Sequence, residues 1–563
     1  MKDFIPPARF AMKAGWAALA LLALASCSSD TGEGPGFPDV PVDAPPDTAV
    51  DGTIDNGSEI PTSSDSDGDT IPDVVEGASS ARDTDGDGTP DYLDLDADGD
   101  TLPDEDEGMT DPDGDALPSC IDFDSDGDGL RDADEVEAGT APYDPDSDDD
   151  GASDLVETVA GTDPLDVHDN PRIHGDFIFV VPYDEAPEPG QDTLVFETSL
   201  QKADVYFLID TSASMGGEID NLRDTLTSTI VPRVRDTIPD VWIGAGIFDH
   251  CPALAHCTES GTPVGIRNLQ RLDADAELTR AALGTITGIT CNGAYEPYIG
   301  SLWLTATGDT SPWPRLDPRD CSGHDEMIGY PCFREGSIPI IVQFGDEGFY
   351  GQSYKNDCAD FPRYEEMIDA LDGIHAQYIG IASGSGMWDS NGMQDTCNDT
   401  GSVDISGSPL AYRISGDGTG LGDQVIEAIH LLATQVPIDV GTDAADRDDG
   451  PEDGVDATVF IDRIVPNTAG GVADPVDPLV VCVGGLETAD ADGDGVPEKF
   501  TGVLPGTAVC FDIFPRMNTS VPPADDPKLL SADVQVLGND VTVLDTRTVF
   551  FLVPPDTSSV GPQ

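Results

Sequence analysis

Between residues 65 and 154 aspartate returns at relative positions one, three, five and nine. The copies are Asp65/Asp67/Asp69/Asp73, Asp83/Asp85/Asp87/Asp91, Asp96/Asp98/Asp100/Asp104, Asp124/Asp126/Asp128/Asp132 and Asp146/Asp148/Asp150/Asp154, and a weaker one, Asp111/Asp113/Asp115, ends at Ser119. Alternate carboxylates on a loop turned by Gly68, Gly88 or Gly151 converge on one point, and hard oxygen ligands at such a point select calcium. Without a cation, two carboxylates ~4 Å apart repel by about 4 kcal/mol at an effective dielectric near ~20. Such loops are expected to collapse only when loaded. A solvated acidic tail needs neither fixed offsets nor turn glycines, so the register argues against one. Ile71, Leu102, Leu130 and Leu155 give one sizeable apolar residue per loop, which leaves a core mostly of ions and main chain.

This register resembles thrombospondin type 3 repeats in the version common on bacterial surface proteins, with "EAGT" (137–140) and "VAGTDP" (159–164) similar to the linking segments. The resemblance implies that residues 64–170 form a calcium-stiffened stalk.

The chain carries 110 acidic against 25 basic residues, a formal net charge of −85. Such a charge repels phosphate backbones and anionic headgroups, so nucleic acid is excluded as a partner and divalent cations are attracted. Even seven loops with one divalent ion each would cancel only about 14 of those charges, which keeps the surface acidic. Lys2, Arg9 and Lys13 precede an apolar run, 14–25, too short to span a bilayer, so residues 1–27 read as a signal peptide. Leu24-Ala25-Ser26-Cys27 resembles the lipobox of bacterial lipoproteins, which implies lipidation of Cys27 and a membrane contact through that anchor alone. Ser28, where an aspartate would suggest inner-membrane retention, points to the outer membrane, and the expected location is lipid-anchored there and surface exposed, the face itself not being read from the sequence. Residues 28–63, with "GPGFPDVPVDAPPDTAVDG", bury too little apolar surface to order and read as a tether.

Setting Cys27 aside leaves ten of the 11 cysteines, an even number in an exported chain, which favours disulfides. Proximity pairs Cys482 with Cys510, Cys321 with Cys332 and Cys251 with Cys257, and leaves Cys120, Cys291, Cys358 and Cys397 open. No CxxC occurs, and "HDEMIG" (324–329) lacks the second histidine of a zinc protease motif.

From about 200 to 440 the pattern changes to apolar strands, at 204–209, 241–248, 338–344 and 377–382, alternating with helical segments near 218–235, 363–375 and 422–435. Alternation of this kind implies an α/β fold, a doubly wound, mostly parallel sheet with helices on both faces. Ligands of such sheets sit beyond the carboxyl ends of the strands. "DVYFLIDTSASM" (204–215) places Asp210, Ser212 and Ser214 at that edge, where one carboxylate and two hydroxyls form half of an octahedral site for a small hard cation such as magnesium. The competing reading is a capping cluster for a helix starting at 216–218.

The segment resembles the von Willebrand factor A domain, whose metal-ion-dependent adhesion site joins Asp-x-Ser-x-Ser to a residue of a middle loop and an aspartate after the fourth strand. Asp210, Ser212 and Ser214 match the first part, and Asp346, directly after "IPIIVQFG", matches the last. In the middle loop, "NGAYEPYIGSLW" (292–303) departs from the glycine-threonine pattern, so Glu296 is the expected ligand and Thr290 the alternative. A carboxylate there would favour calcium or manganese over magnesium. The resemblance implies an open coordination position for a carboxylate or carbonyl of a protein partner. Its 240 residues exceed the usual length, so insertions are expected near 250–262, 305–336 and 384–420.

After "GTDAADRDDGPEDG" (441–454), short β-type runs at 457–465, 479–483, 508–514, 533–537, 541–544 and 548–553 suggest a small β-sandwich over 441–563. Asp490/Asp492/Asp494/Glu498 repeats the calcium register inside it. Nothing in the sequence activates a nucleophile. The expected protein is a non-enzymatic cell-surface or outer-membrane lipoprotein that presents a metal-dependent binding head on a calcium stalk; the alternative is an envelope-assembly scaffold whose head packs on a neighbouring subunit.

Overall fold

The computed structural model describes residues 64–557 except 213, 250–257, 260–261, 264, 287–296, 314–315, 323–326, 347–348, 350–361, 385–391, 448–453 and 525. Cys27, the tether, Glu296, Thr290 and the Cys251–Cys257 pair therefore lie outside the described residues. No described helix is long and apolar enough to cross a membrane.

The repeats are loops that each run into a short helix or turn, among them α1 (Asp104–Glu107), α2 (Asp132–Ala138) and α3 (Asp154–Ala160). The fourth and sixth residues of a loop both take left-handed backbone, as at Gly127 (φ 75°) and Gly129 (φ 98°), which curls the alternate carboxylates inward. Ile71, Ala97, Cys120 and Ile121 form one small core. Leu130 and Leu155 form another, and its third member is Leu552, near the far end of the chain, with Ile178 and Val180 against it. The second half of the repeat segment is therefore docked on a folded domain and is not a free stalk. Arg131 strengthens the join by donating to the Asp556 carbonyl at 3.0 Å.

After α4 (Pro171–His174) come β1 (Phe177–Val180) and β2 (Asp192–Glu197), which pair with the last strands of the protein. The α/β domain follows as β3 (Lys202–Asp210), α5 (Gly216–Thr225), a π-turn, α6 (Val231–Arg235), β4 (Asp240–Phe248), the two-residue strands β5 (Thr258–Glu259) and β6 (Thr262–Pro263), β7 (Ile266–Asp273) and α7 (Ala276–Leu283). It continues through α8 (Tyr298–Thr307), β8 (Ile338–Gly345), α9 (Tyr364–Asp372), β9 (Gln377–Ala382), α10 (Met393–Asp399), β10 (Ala411–Arg413) and α11 (Leu421–Gln435).

Its sheet runs β10-β9-β8-β3-β4-β7, parallel except for the β7 edge. Counted from β3 as the first strand, this is the 3-2-1-4-5-6 order of doubly wound sheets, whose switch point falls between β3 and β8. Helices α5, α6, α7 and α11 pack together, and α8 packs with α9, so the sheet is covered twice. That explains why β8 is buried at every residue and β3 at all but its first. In α11, Leu421, Val425, Ala428, Ile429 and Leu432 follow the helical period and form the stripe that meets the core. At the amino end of β3, buried Asp204 is held by Arg334, whose Nε lies 2.7 Å from Oδ1 and whose guanidinium also binds Asp240 and covers the Trp242 ring.

The sandwich contains β11 (Ile438–Asp446), β12 (Ile461–Pro466), β13 (Thr488–Ala489), β14 (Lys499–Val503), β15 (Ala508–Pro515), β16 (Lys528–Gly538) and β17 (Thr542–Val553). One sheet is β1-β17-β16-β11-β14-β13 and the other β12-β15-β2. The sequence places this domain wholly after residue 440, but β1, β2 and β11 extend it to both sides of the α/β domain, which is an insertion between β2 and β11. The runs at 541–544 and 548–553 are one strand, residues 457–460 are a short 3-10 turn, and 479–483 contributes one bridge, Ala473 to Val481. Cys482–Cys510 and Cys321–Cys332 are disulfides, as their proximity suggests, while Cys120 and Cys397 are buried free thiols.

Candidate metal centres

In the repeats the backbone grips one oxygen of a carboxylate and in most cases leaves the other facing inward. The ninth residue anchors the loop entry: Asp104 Oδ1 accepts from the Ala97 N–H at 2.9 Å, Asp132 Oδ1 from Ser125 at 2.9 Å, Asp154 Oδ1 from Ser147 at 3.1 Å and Asp91 Oδ1 from Thr84 at 2.8 Å. The fifth residue caps the turn, as where Asp69, Asp100 and Asp128 accept from the residue two further on. What remains is buried oxygen with no hydrogen-bond partner: Asp69 Oδ2, Asp98 Oδ2, Asp100 Oδ2, Asp104 Oδ2, Asp126 Oδ2 and Asp132 Oδ2. Unpaired buried carboxylate oxygens are costly, and a cation is the partner their chemistry fits.

The expected ligands are not equivalent, and the loops from Asp65, Asp83 and Asp146 depart from this pattern. Asp73 anchors its loop through a side chain, since its Oδ2 accepts from the Ser66 hydroxyl at 3.0 Å, and the oxygen it keeps unpartnered is Oδ1. Asp91 and Asp154 accept a hydroxyl on Oδ2 as well, from Thr84 at 2.8 Å and Ser147 at 2.7 Å, so both of their oxygens are engaged and they position the loop more than they offer a bare ligand. In each of these three loops the hydroxyl residue at position two reaches the ninth carboxylate. Asp150 is half-buried where its counterparts Asp69 and Asp100 are buried; its Oδ1 accepts from the Ala152 N–H at 3.1 Å, and its Oδ2, like that of Asp148, has no partner.

A ligand position absent from the sequence reading completes these sites. Glu76, Glu107, Glu135 and Glu157 stand twelve residues into the loops that begin at Asp65, Asp96, Asp124 and Asp146, and all four are buried. Both carboxylate oxygens of Glu76 and of Glu107 have no hydrogen-bond partner. Position twelve is where calcium loops place a bidentate glutamate. Burial, then the neighbouring aspartates, pushes Glu76 up to about 8, Glu135 to about 9 and Glu157 to about 7. Asp94 and Asp122 hold the same place in the loops from Asp83 and Asp111.

The sites also communicate. Oxygens of Asp69, Glu76 and Asp104 lie within 4.8 Å of one another, so the ninth residue of one loop reaches the site of another. Asp65, Asp67 and Asp69 form a second such group, as do Asp83/Asp85/Asp87, Asp96/Asp98/Asp100 and, in the sandwich, Asp490/Asp492/Asp494/Glu498. The last group is largely exposed, and the twelfth residue of its loop is Thr501, so it lacks the buried carboxylate of the repeats.

At the α/β domain, the ends of β3 and β8 bring Asp210 and Asp346 to the switch point. Asp210 is fully buried; its Oδ1 accepts from the Ser212 N–H at 2.8 Å and its Oδ2 from the Tyr298 hydroxyl at 2.6 Å. The Ser212 and Ser214 hydroxyls lie 3.1 Å apart, and Asp346 Oδ1 is buried without a hydrogen-bond partner. Burial raises Asp210 to about 7 and the charge of Asp346 adds to this, against the Tyr298 and Ser212 hydrogen bonds. The capping alternative does not describe these serines: α5 has Met215 at its N-cap and no side-chain cap hydrogen bond. Tyr298 is a site residue that sequence reading missed. It packs edge-on to Phe248 and stacks on Phe349, and a β-carbon at Gly345 would come 2.2 Å from its hydroxyl, so glycine there keeps the hydroxyl on Asp210.

The family described as the bacterial TSP3 repeat matches residues 124–145 and 146–167. No curated protein matches the chain. Among solved structures, a von Willebrand factor type A protein from Catenulispora acidiphila aligns over 68% of this chain and 77% of its own at 13% identity, with a TM-score of 0.28. Proximal thread matrix protein 1 of the mussel byssus aligns over 44% of this chain and 50% of its own at 13% identity, with a TM-score of 0.26. The strand order described above, rather than these alignments, defines the inserted domain. Residues 124–167 thus match bacterial TSP3 repeats, and the domain inserted after them is a doubly wound α/β fold.

Proposed function

We propose that the protein is a lipid-anchored surface protein of the cell envelope, and that its inserted domain binds a protein partner through a divalent cation held by Asp210, Ser212, Ser214 and Asp346. The observation that carries this is the pairing of a fully buried Asp210 with an unpartnered, buried Asp346 oxygen at the switch point, beside two hydroxyls. A magnesium, manganese or calcium ion there would neutralise both acids and keep a position for a partner's carboxylate or carbonyl. The reading is one of binding, because two hydroxyls 3.1 Å apart beside two acids are a hard-oxygen donor set that suits a cation. Calcium in the repeats would hold the segment that presents the head, and Cys27 would tie the chain to the outer membrane.

The test is capture of partner proteins from envelope or matrix fractions in calcium plus magnesium against chelator, with wild type and Asp210→Ala. Loss of capture in chelator and in the variant, with an unchanged circular dichroism spectrum, is the expected result. A well-folded Asp210→Ala protein that captures the same partner equally would refute the mechanism. Retention of one envelope protein under every condition would point instead to the scaffold.

A further inference from the structure

β7 is an edge strand of the α/β sheet, and the segment between α8 and β8 leaves a cavity of about 300 Å3 against it. Asn268, Gln270 and Arg271 line one side, and Asp317, Asp320 and Tyr330 the other.

The walls are fixed from inside the sheet. Tyr206, 1% exposed, lies across β4 and donates its hydroxyl to Asn268 Oδ1 at 3.1 Å. Gly246 keeps that path open, since a β-carbon there would come 2.1 Å from the hydroxyl. Asn268 Nδ2 donates in turn to the Tyr330 carbonyl at 3.4 Å, and the Tyr330 hydroxyl to the Asp317 carbonyl at 2.9 Å. The Cys321–Cys332 disulfide closes the far wall and packs with Met327 against Trp242, while Arg319 Nε ties the same wall to the Gly329 carbonyl at 2.9 Å.

Three polar groups of the lining are left over. The Arg271 guanidinium and the Asp317 carboxylate have no hydrogen bond to any described residue, and Asp320 engages only Oδ1, with Ser322. A donor and several acceptors therefore share one small space. An anionic ligand would meet Asp317 and Asp320, a cationic one would meet Arg271, and an apolar one would strand all three away from water. A hydroxyl donates and accepts at once, so a ring that carries several satisfies both kinds of group. The volume is at the low end of the ~300–1,000 Å3 of ligand pockets, which suits one such ring rather than a longer chain.

The geometry points to a binding site for a single neutral sugar residue, with Arg271 donating to its oxygens and Asp317 and Asp320 accepting from its hydroxyls. The site uses none of the residues assigned to the cation at Asp210, so it stands or falls apart from that reading.

The test is saturation-transfer NMR on the full chain in calcium. The probes are the methyl glycosides of glucose, galactose and mannose, with oligosaccharides of the same sugars as a second arm. At least one glycoside should take up magnetisation from wild type and equally from Asp210→Ala. It should bind about tenfold more weakly to Arg271→Ala and to Asp317→Asn, which alter exposed side chains and leave the hydrogen bonds of the wall in place. Transfer to an oligosaccharide alone, weakened in the same two variants, upholds the site and identifies a polysaccharide as the source. No transfer to any probe, or transfer unchanged in both variants, overturns it.

Discussion

Glu135→Gln tests how far a calcium ion in the repeats supports the domain on which they dock. Glu135 is fully buried, with Oε2 unpartnered, in the loop whose Leu130 packs with Leu155 and Leu552. The same loop holds the chain just after β17: a β-carbon at Gly129 would touch Pro554 at 3.4 Å, and Arg131 donates to the Asp556 carbonyl. At free calcium one hundred times the dissociation constant, the bound ion stabilises the folded loop by about 2.7 kcal/mol, and a site weakened about a hundredfold keeps only about 0.4 kcal/mol. The difference of about 2.3 kcal/mol corresponds to roughly fiftyfold in an opening equilibrium. Hydrogen exchange of the β17 amides, 549–553, read in calcium by mass spectrometry, should therefore quicken by up to about fiftyfold in the variant. If those amides exchange as in wild type while the loop itself has lost its ion, the coupling through Leu552 is refuted.

Arg334→Ala strands Asp204, which is fully buried, and should cost about 3–5 kcal/mol, read as a lower denaturation midpoint; pairing Arg334→Met with Asp204→Leu should recover most of it, and an unshifted midpoint in the single variant would contradict the assignment. Burial raises Glu76 to about 8, Asp126 to about 8 and Glu135 to about 9. Their folded values lie above their unfolded ones, so without metal the stability they give is fully present below the ordinary carboxylate range and is lost as pH rises through about 8 to 9. Calcium must then displace protons at pH 7, and titration calorimetry in two buffers of different ionisation enthalpy should report different apparent heats; equal heats would show that no protons leave.

The aspartate register was legible because alternate ligands on a turn leave a strict local spacing. The glutamates at position twelve obey the same spacing, yet Glu135 and Glu157 sit in short helices where an acid reads as an ordinary solvated residue. Only the register, continued three residues further, could have singled them out. Strands β3, β4, β8 and β9 were legible because both faces of the sheet are covered, which leaves long apolar runs. Tyr298 was not, since its role depends on a hydroxyl that reaches Asp210 across 88 residues. The sandwich boundary failed for a related reason. β2 pairs with β15, as Phe196 with Val509, and β1 with β17, as Phe179 with Phe551, so contacts over three hundred residues apart in the chain leave no local pattern.

The inserted head leaves its host domain by two short links, 198–201 into β3 and 436–437 out of α11, and these enter different sheets, β2 in the three-stranded one and β11 in the six-stranded one. A tug on a captured partner would therefore load both layers at once. β11 is flanked by β16 and β14, so sliding it lengthwise must shear the hydrogen bonds of two ladders together, whereas peeling would break them singly. An attachment of this kind would resist a lengthwise pull on β11 better than a single edge strand would.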